Sequence, residues 1–431
     1  MEAVIGGSDP TVVQHDVTEQ VRTGTVAQRP PSTGREVSAG ALALAVSAGV
    51  LSAVLYAVLT ARAGDVLHLI DLTAYRIGAQ RVLDGVSLYD TPLIGTTKGV
   101  FEFVYPPFAA LIFLPITLVE GVEFVATGVA INAVVLVVVV WASLRALGHR
   151  AGPRLFVLSL AGAGLLIWVH PIWETFAFGQ VNLLLAALVL VDLVAPASAR
   201  WKGVLVGIAI GIKLTPGFFV VYLLVTRQYR AAATALGSFI ATAVLGALVM
   251  PRDSLTFWSG AFLDPARVGV PDHPGNQTLR GMIARLLGTG TAQSVLWLAL
   301  AVAVAVAGLW ISRRLTLDGN VFAAVVLCAL TATAVSPFSW VHHWVWLGPL
   351  LVLLLHHAVR HRTVAAWAAF VVAALISSHG PLALLVPDHP TLLAIPAWHH
   401  VEIGYQHAYI WLTVALLVAA AWRLRPAARE R

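Results

Sequence analysis

Val122-Glu-Phe-Val-Ala-Thr-Gly-Val-Ala-Ile-Asn-Ala-Val-Val-Leu-Val-Val-Val-Val-Trp141-Ala-Ser-Leu-Arg145 has one acid near its start, one base at its end and no charge between. An α-helix needs about 20 predominantly apolar residues to cross the hydrocarbon core of a bilayer, and this run supplies them. Comparable runs recur near 39–60, 154–170, 178–195, 231–250, 291–312, 320–335, 339–358, 363–377 and 406–423. Across the 431 residues 59% are hydrophobic and 11% charged, against about 25% charged in a typical soluble domain. So few charges cannot coat a soluble enzyme of this length. The composition therefore predicts an all-α polytopic membrane protein. Cys328 is the only cysteine and sits in an apolar run, which excludes a disulfide scaffold. Three lysines (Lys98, Lys202, Lys213) stand among 27 basic residues, an arginine bias that fits a GC-rich genome.

The ends of these runs carry the orientation. Residues 1–38 are polar and lack an apolar core, so they read as a disordered cytoplasmic tail rather than a signal peptide. The transmembrane domain then spans 39–425. The stretch 203–226 has Arg200 and Lys202 before it, Arg227 and Arg230 after it, and Lys213-Leu-Thr-Pro216 in its middle. A lysine at bilayer centre costs roughly 2.5–3.5 kcal/mol, so two short helices turning at Lys213 are expected there. Tyr105–Val119, broken by Pro106, Pro107 and Pro115, is expected to be a short or surface helix that does not cross. Cytoplasmic loops collect Lys and Arg. Ten simple crossings plus the hairpin give about twelve transmembrane helices, with both termini inside and 18 of the 27 basic residues on the cytoplasmic side. The opposite face then receives a first loop (61–121), a middle loop (251–290), a last loop (377–405), Glu174 and the turn Ser336-Pro-Phe-Ser-Trp-Val-His-His343.

Several constellations on that face could carry chemistry. In Leu69-Ile-Asp71-Leu-Thr-Ala-Tyr75-Arg76, an acid between apolar neighbours is desolvated and made more basic, which suits a general base; capping of a surface helix is the structural alternative. Glu102-Phe-Val-Tyr105-Pro-Pro-Phe108 reads first as a stiff extended entry to a helix, with Tyr105 as a substrate contact the minority reading. Asn276-Gln277-Thr278-Leu-Arg280-Gly281 matches a glycosylation acceptor, a short pattern common by chance; the alternative is a cluster of groups for sugar and phosphate, weighed evenly against a structural role, with Arg280 suited to phosphate by its planar fork. Trp340-Val-His342-His343-Trp344 combines an interface anchor with sugar-stacking and phosphate-binding capacity. On an α-helix adjacent histidines diverge by about 100°, a poor metal pair. No phosphate-binding glycine loop, dinucleotide fingerprint, Ser-His-Asp order or zinc signature is present, so neither a cofactor nor a metal is expected. The net charge of +6 follows from the cytoplasmic loops and does not imply nucleic acid.

The order Asp71, Gly78-Ala-Gln80, Leu88-Tyr89, Tyr105-Pro-Pro-Phe108, Lys213-Leu-Thr-Pro216, Asn276-Gln-Thr278-Leu-Arg-Gly281 and Ser339-Trp-Val-His-His343 resembles the actinobacterial polyprenyl-phosphate-mannose-dependent α-1,2-mannosyltransferases, glycosyltransferases of the GT-C type. The similarity spans roughly 65–350, and Thr278 stands where serine is expected. The resemblance implies a polyprenyl-phosphate-mannose donor entering from the lipid bilayer. It implies as acceptor a mannose 2-hydroxyl on a phosphatidylinositol mannoside, lipomannan or lipoarabinomannan, with inversion at the transferred sugar. Asp71 would be the general base. Lys213, Arg280, His342 and His343 would be candidates for the donor phosphate. Tyr75, Arg76, Tyr105, Glu174, Gln180, Asn276, Gln277 and Trp340 would be candidates for substrate contacts. The plasma membrane, with the active site on its extracytoplasmic face, is the location this implies. The alternatives are a transferase for another polyprenyl-phosphate sugar, such as arabinose, and a transporter or flippase for a lipid-linked glycan.

Overall fold

The computed structural model describes residues 38–63, 67–96, 99–264, 267–379, 393 and 401–424. Nearly all of the expected tail and most of the last loop, with His389, His399 and His400, lie outside the described residues. In chain order come α1 (Ala39–Ala63), α2 (Ile70–Asp84), the strand pair β1 (Ile94–Thr96) and β2 (Gly99–Phe101), and α3 (Pro107–Ile112). There follow α4 (Gly121–Ala146), α5 (Pro153–Leu166), α6 (His170–Phe178), α7 (Asn182–Val194), α8 (Val204–Ile212), α9 (Phe218–Val225) and α10 (Tyr229–Val249). The rest are α11 (Pro251–Ser259), α12 (Leu279–Leu287), α13 (Thr291–Leu317), α14 (Val321–Val335), α15 (Leu347–His361), α16 (Val364–Ser377), α17 (Glu402–Tyr405) and α18 (Ala408–Arg423). Among the described residues the fold is thus helical, with one short antiparallel hairpin pairing Ile94 with Phe101.

Each apolar run read from the sequence contains a helix. Four of them, α1, α4, α10 and α13, are long and apolar enough to cross a membrane. Large apolar side chains such as Leu44, Leu248, Val306 and Trp422 stand on the outside, an arrangement that water penalises and lipid accepts. Inside, Gly49 of α1 meets Ala161 of α5, Ser52 Oγ donates to Gly164 O, and Tyr56 packs edge-on against Trp168 and Trp173. That rising register makes α1 and α5 run in the same direction.

The expected hairpin is present. Gly203, Gly207 and Gly211 approach Ala231, Ala235 and Thr242 in turn, so α8 and α10 also run in the same direction and α9 returns between them. The glycines are required by this close approach: a Cβ on Gly207 would stand 2.3 Å from Ala235 O. Lys213 sits at the turn. At the other end Arg230 Nη2 donates to Ala197 O and Ala199 O (2.7 and 2.8 Å), and Arg313 Nε donates to Val225 O (2.9 Å). The rings of His149 and His356 also meet, with centroids 5.8 Å apart. Several arginine-bearing loops therefore share one end of the bundle.

One local expectation holds and one changes. Pro115 does break the Tyr105–Val119 segment, giving α3 and then a 3₁₀ turn over Leu114–Leu118. The run near 339–358 opens as a 3₁₀ turn over Val341–Trp346 before α15 begins. His342 and His343 therefore do not lie on a regular α-helix, and their ring centroids are 5.0 Å apart.

Candidate active site

Asp71 lies in the first turn of α2. Leu69, just before it, takes φ +44°, a left-handed conformation uncommon for a residue with a Cβ. It is held there by its N–H, which donates to Ala177 O at 2.8 Å. Leu72 is wedged between Gly128 of α4 and Gly179 after α6, and Gly179 itself has φ +70°. These contacts fix the start of α2 against the end of α6. Asp71 is left half-buried beside Gln180.

Burial raises the Asp71 carboxyl above the ordinary carboxylate range, and Glu174 adds to the effect. His342, the Gln180 amide and Lys213 pull in the other direction without cancelling it. One helical turn on, Tyr75 Oη donates to Gln180 Oε1 at 2.9 Å. Since that uses the Tyr75 proton, the 2.9 Å bond between the two phenols has Tyr105 as donor. Asn182 Nδ2 also donates to Gln180 Oε1 (3.1 Å), so the Gln180 oxygen is fully occupied and its NH₂ is turned toward Asp71. Lys213 Nζ donates to Asn182 Oδ1 (3.1 Å) and to His343 Nε2 (2.9 Å), and stands 5.5 Å from the centre of the Tyr105 ring. Accepting from a lysine at Nε2 requires His343 to be neutral, with its proton on Nδ1.

Glu174 occupies the other side. His170 Nε2 lies 3.2 Å from Glu174 Oε1, and His342 Nδ1 lies 3.7 Å from Oε2. Burial alone would raise this carboxyl, but the two imidazoles outweigh it and hold it at about 2. His342 is buried, and both of its ring nitrogens lack a hydrogen-bond partner. Phe178 meets its ring edge-on and Trp340 stacks over it.

Of the residues read from the sequence, Asp71, Tyr75, Tyr105, Glu174, Gln180, Lys213, His342, His343 and Trp340 form one connected cluster. Arg76 turns away to an ion pair with Glu120 and packs over Phe124. Arg280 lies over the Trp297 ring, 5.0 Å from its centre, and its Nε is buried without a hydrogen-bond partner. Asn276 accepts from Thr278 Oγ1 and from the Ser339 N–H, and Thr278 caps α12 through the Gly281 N–H. Both Asn276 and Thr278 are fully buried, so this triplet cannot carry a glycan in the folded protein. Gln277 clamps the histidine turn through its backbone, which bonds Ser339 O and Trp344 Nε1; its side-chain oxygen is buried without a partner. Among the described residues no group of three or more His, Cys, Asp or Glu could hold a metal ion.

Asn182, His170 and Tyr409 belong to the site and went unread in the sequence. His170 is four residues before Glu174 and Asn182 two after Gln180, spacings that could have signalled both. Tyr409 comes from α18, and nothing local in the sequence announces it.

A half-buried carboxyl facing a lysine, amides and imidazoles is suited to taking a proton from a hydroxyl beside an anionic leaving group. Residues 103–337 match glycosyltransferase family 87. The chain belongs to that family. It is 34% identical over 373 residues (83% of this chain, 85% of the relative) to a Mycobacterium tuberculosis protein named polyprenol-phosphate-mannose-dependent alpha-(1-2)-phosphatidylinositol mannoside mannosyltransferase. A Mycolicibacterium smegmatis protein of the same name is 31% identical over 376 residues, 82% of this chain and 84% of the relative. A second Mycobacterium tuberculosis relative, named as a phosphatidylinositol pentamannoside mannosyltransferase, is 32% identical over 393 residues, 90% of this chain and 86% of its own. No solved structure matches. This family 87 glycosyltransferase is a hexosyltransferase. The matched stretch contains Tyr105, Glu174, Gln180, Asn182 and Lys213; Asp71 precedes it and His342, His343 and Tyr409 follow it.

Proposed function

We propose that this glycosyltransferase moves mannose from polyprenyl-phosphate-mannose to a mannose 2-hydroxyl of a cell-envelope glycolipid, phosphatidylinositol mannoside or lipomannan/lipoarabinomannan, with inversion. The observation that carries the reading is Asp71, a half-buried carboxyl of raised pKa beside Lys213, Gln180 and His342, in a chain whose relatives bear mannosyltransferase names. Asp71 takes the proton as the acceptor oxygen bonds to the anomeric carbon. The bond from that carbon to the phosphate oxygen breaks, and polyprenyl phosphate leaves with the electron pair. A positioned base contributes about 10²–10⁴-fold. Lys213 and His342, aimed at the charge developing on the phosphate, add electrostatic stabilisation in a water-poor site. Tyr75, Tyr105, Gln180 and Asn182 hold these groups in place and offer hydrogen bonds to the sugars.

The same reading places residues 39–425 in the plasma membrane as about twelve crossings, with both termini cytoplasmic and the site on the extracytoplasmic face. Its support is the surplus of arginine in the loops that meet at one end of the bundle, opposite the end that carries Asp71. A polyprenol chain would then reach the site sideways through the bilayer.

Purified protein in liposomes, supplied with polyprenyl-phosphate mannose, glucose and arabinose in parallel and a mannosylated phosphatidylinositol, tests the assignment. Mannose should transfer, and an α-1,2-specific mannosidase should remove it. Transfer of arabinose alone, or translocation of the lipid without transfer, would overturn it.

A further inference from the structure

A polar chain leads from the site to the last helix and has no part in the chemistry described above. Tyr409 of α18 is fully buried against Trp344, and its hydroxyl lies 3.0 Å from His170 Nδ1. His170, also buried, presents Nε2 to Glu174 Oε1. An ionised carboxylate only accepts hydrogen bonds, so His170 carries its proton on Nε2. In neutral His170, Nδ1 then accepts and Tyr409 donates, whereas in the imidazolium Nδ1 would donate to the Tyr409 oxygen. The other Glu174 oxygen faces His342 Nδ1 at 3.7 Å, too long for a formed hydrogen bond but short enough to tighten when a ligand orders the imidazole. One oxygen of Glu174 is therefore bonded to an imidazole and the other faces a second imidazole. His342 Nε2 is left buried and unpartnered, a costly state that a bound oxygen would relieve.

We propose that Tyr409, His170 and Glu174 are positioning residues that act in series to hold His342 with Nδ1 toward the carboxylate and Nε2 toward the departing phosphate. The proposal rests on the phosphate-leaving reaction above and deepens it: Glu174 orients a histidine instead of binding the acceptor. It also gives α18 a place in the site. A carboxylate that fixes the tautomer and ring angle of a working histidine is a general device, and here a histidine and a tyrosine fix the carboxylate in turn. His379 also faces this group: its ring stacks on Trp173, and its centroid is 5.6 Å from that of His170.

A double-mutant cycle on the full-length protein tests this. Tyr409→Phe keeps the ring against Trp344 and removes only the hydroxyl. It should lower kcat roughly 10-fold and Glu174→Gln roughly 100-fold, the range typical of residues that orient a working ligand. KM for donor and acceptor should stay within about twofold, since binding shared by ground and transition states is untouched. In the Glu174→Gln background, Tyr409→Phe should cost nothing further, because the chain is already broken. Multiplying losses, or a Tyr409→Phe loss that tracks a fall in melting temperature, would assign Tyr409 to packing and overturn the proposal. Imidazole ¹⁵N spectra give a readout free of sugar identity, with the His170 signals located by their absence in His170→Asn. Nδ1 should be the unprotonated nitrogen in the wild type and shift in Tyr409→Phe; an unchanged spectrum would also overturn it. If the wild type uses a different polyprenyl-phosphate sugar, the mannose assignment fails while the cycle is still measured with that sugar.

Discussion

Asp71 works as a base only when ionised, and burial lifts its carboxyl above the usual range near 3.9. The transfer rate should therefore rise with pH through this raised pKa and then level off. The acid limb of kcat/KM should lie above that of an ordinary aspartate. Glu174, held at about 2, stays ionised throughout and adds no limb of its own. A pH profile of initial rates checks this; a limb at or below the ordinary aspartate range would remove Asp71 from the role. Lys213 and Arg280 part company in a similar way. Lys213 faces Asn182 and His343, whereas Arg280 lies on Trp297. We expect Lys213→Met to raise the donor KM at least about 10-fold, the order expected when a charge-assisted contact to phosphate is lost. Arg280→Ala should change it less than about twofold, in line with a stacking contact away from the phosphate. The reverse ranking, measured by donor titration, would move the phosphate to α12.

The α8–α9 hairpin brings Lys213 to the site, and its closeness to α10 depends on small residues. Gly207→Leu would drive side-chain atoms into Ala235 O and Ser238. It should cost about 1–3 kcal/mol by overpacking, seen as a lower melting temperature in detergent. Gly237→Ala, with open space around it, is the matched control and should leave stability unchanged within about 0.5 kcal/mol, as surface changes usually do. This hairpin was legible because basic residues flank it on both sides and a lysine with a proline interrupts it. The 3₁₀ turn carrying His342 and His343 was not. An apolar run reads the same whether its first residues wind as 3₁₀ or α, so the two rings, both candidates for the donor phosphate, were expected to diverge by about 100° as on an α-helix. The structural role of the Asn276-Gln-Thr278 triplet could not be told from binding for a related reason: the capping of α12 and the clamp on Ser339 are invisible until the two loops meet.

Across the chain, the membrane character and the approximate positions of most helices followed from charge scarcity and run length. The proposed sidedness rests on arginine placement. Asp71, Lys213 and the pair His342 and His343 were readable as residues, though not in their local geometry, because a charged or polar group beside apolar runs is conspicuous. The contribution of α18 was not, since Tyr409 lies 239 positions from its partner His170 and aromatic residues at helix ends are ordinary. The orientation makes its own prediction. Cys328 is fully buried, so single cysteines report in its presence or in a Cys328→Ala background. Asp90→Cys and Asp272→Cys should react with an impermeant maleimide in intact cells, and Arg150→Cys and Arg227→Cys only after permeabilisation. The opposite pattern would invert the topology and take the site away from the extracytoplasmic donor pool.

Transfer of labelled mannose from polyprenyl-phosphate-mannose to a mannosylated phosphatidylinositol, by purified Asp71→Asn beside wild type at equal protein and matched melting temperature, tests the role of Asp71 most directly. Asparagine keeps the shape and removes the base. The rate should fall by at least about 10³-fold, within the span of base catalysis, with donor binding retained. A variant that keeps a substantial fraction of wild-type transfer would contradict the assignment of Asp71 as the base.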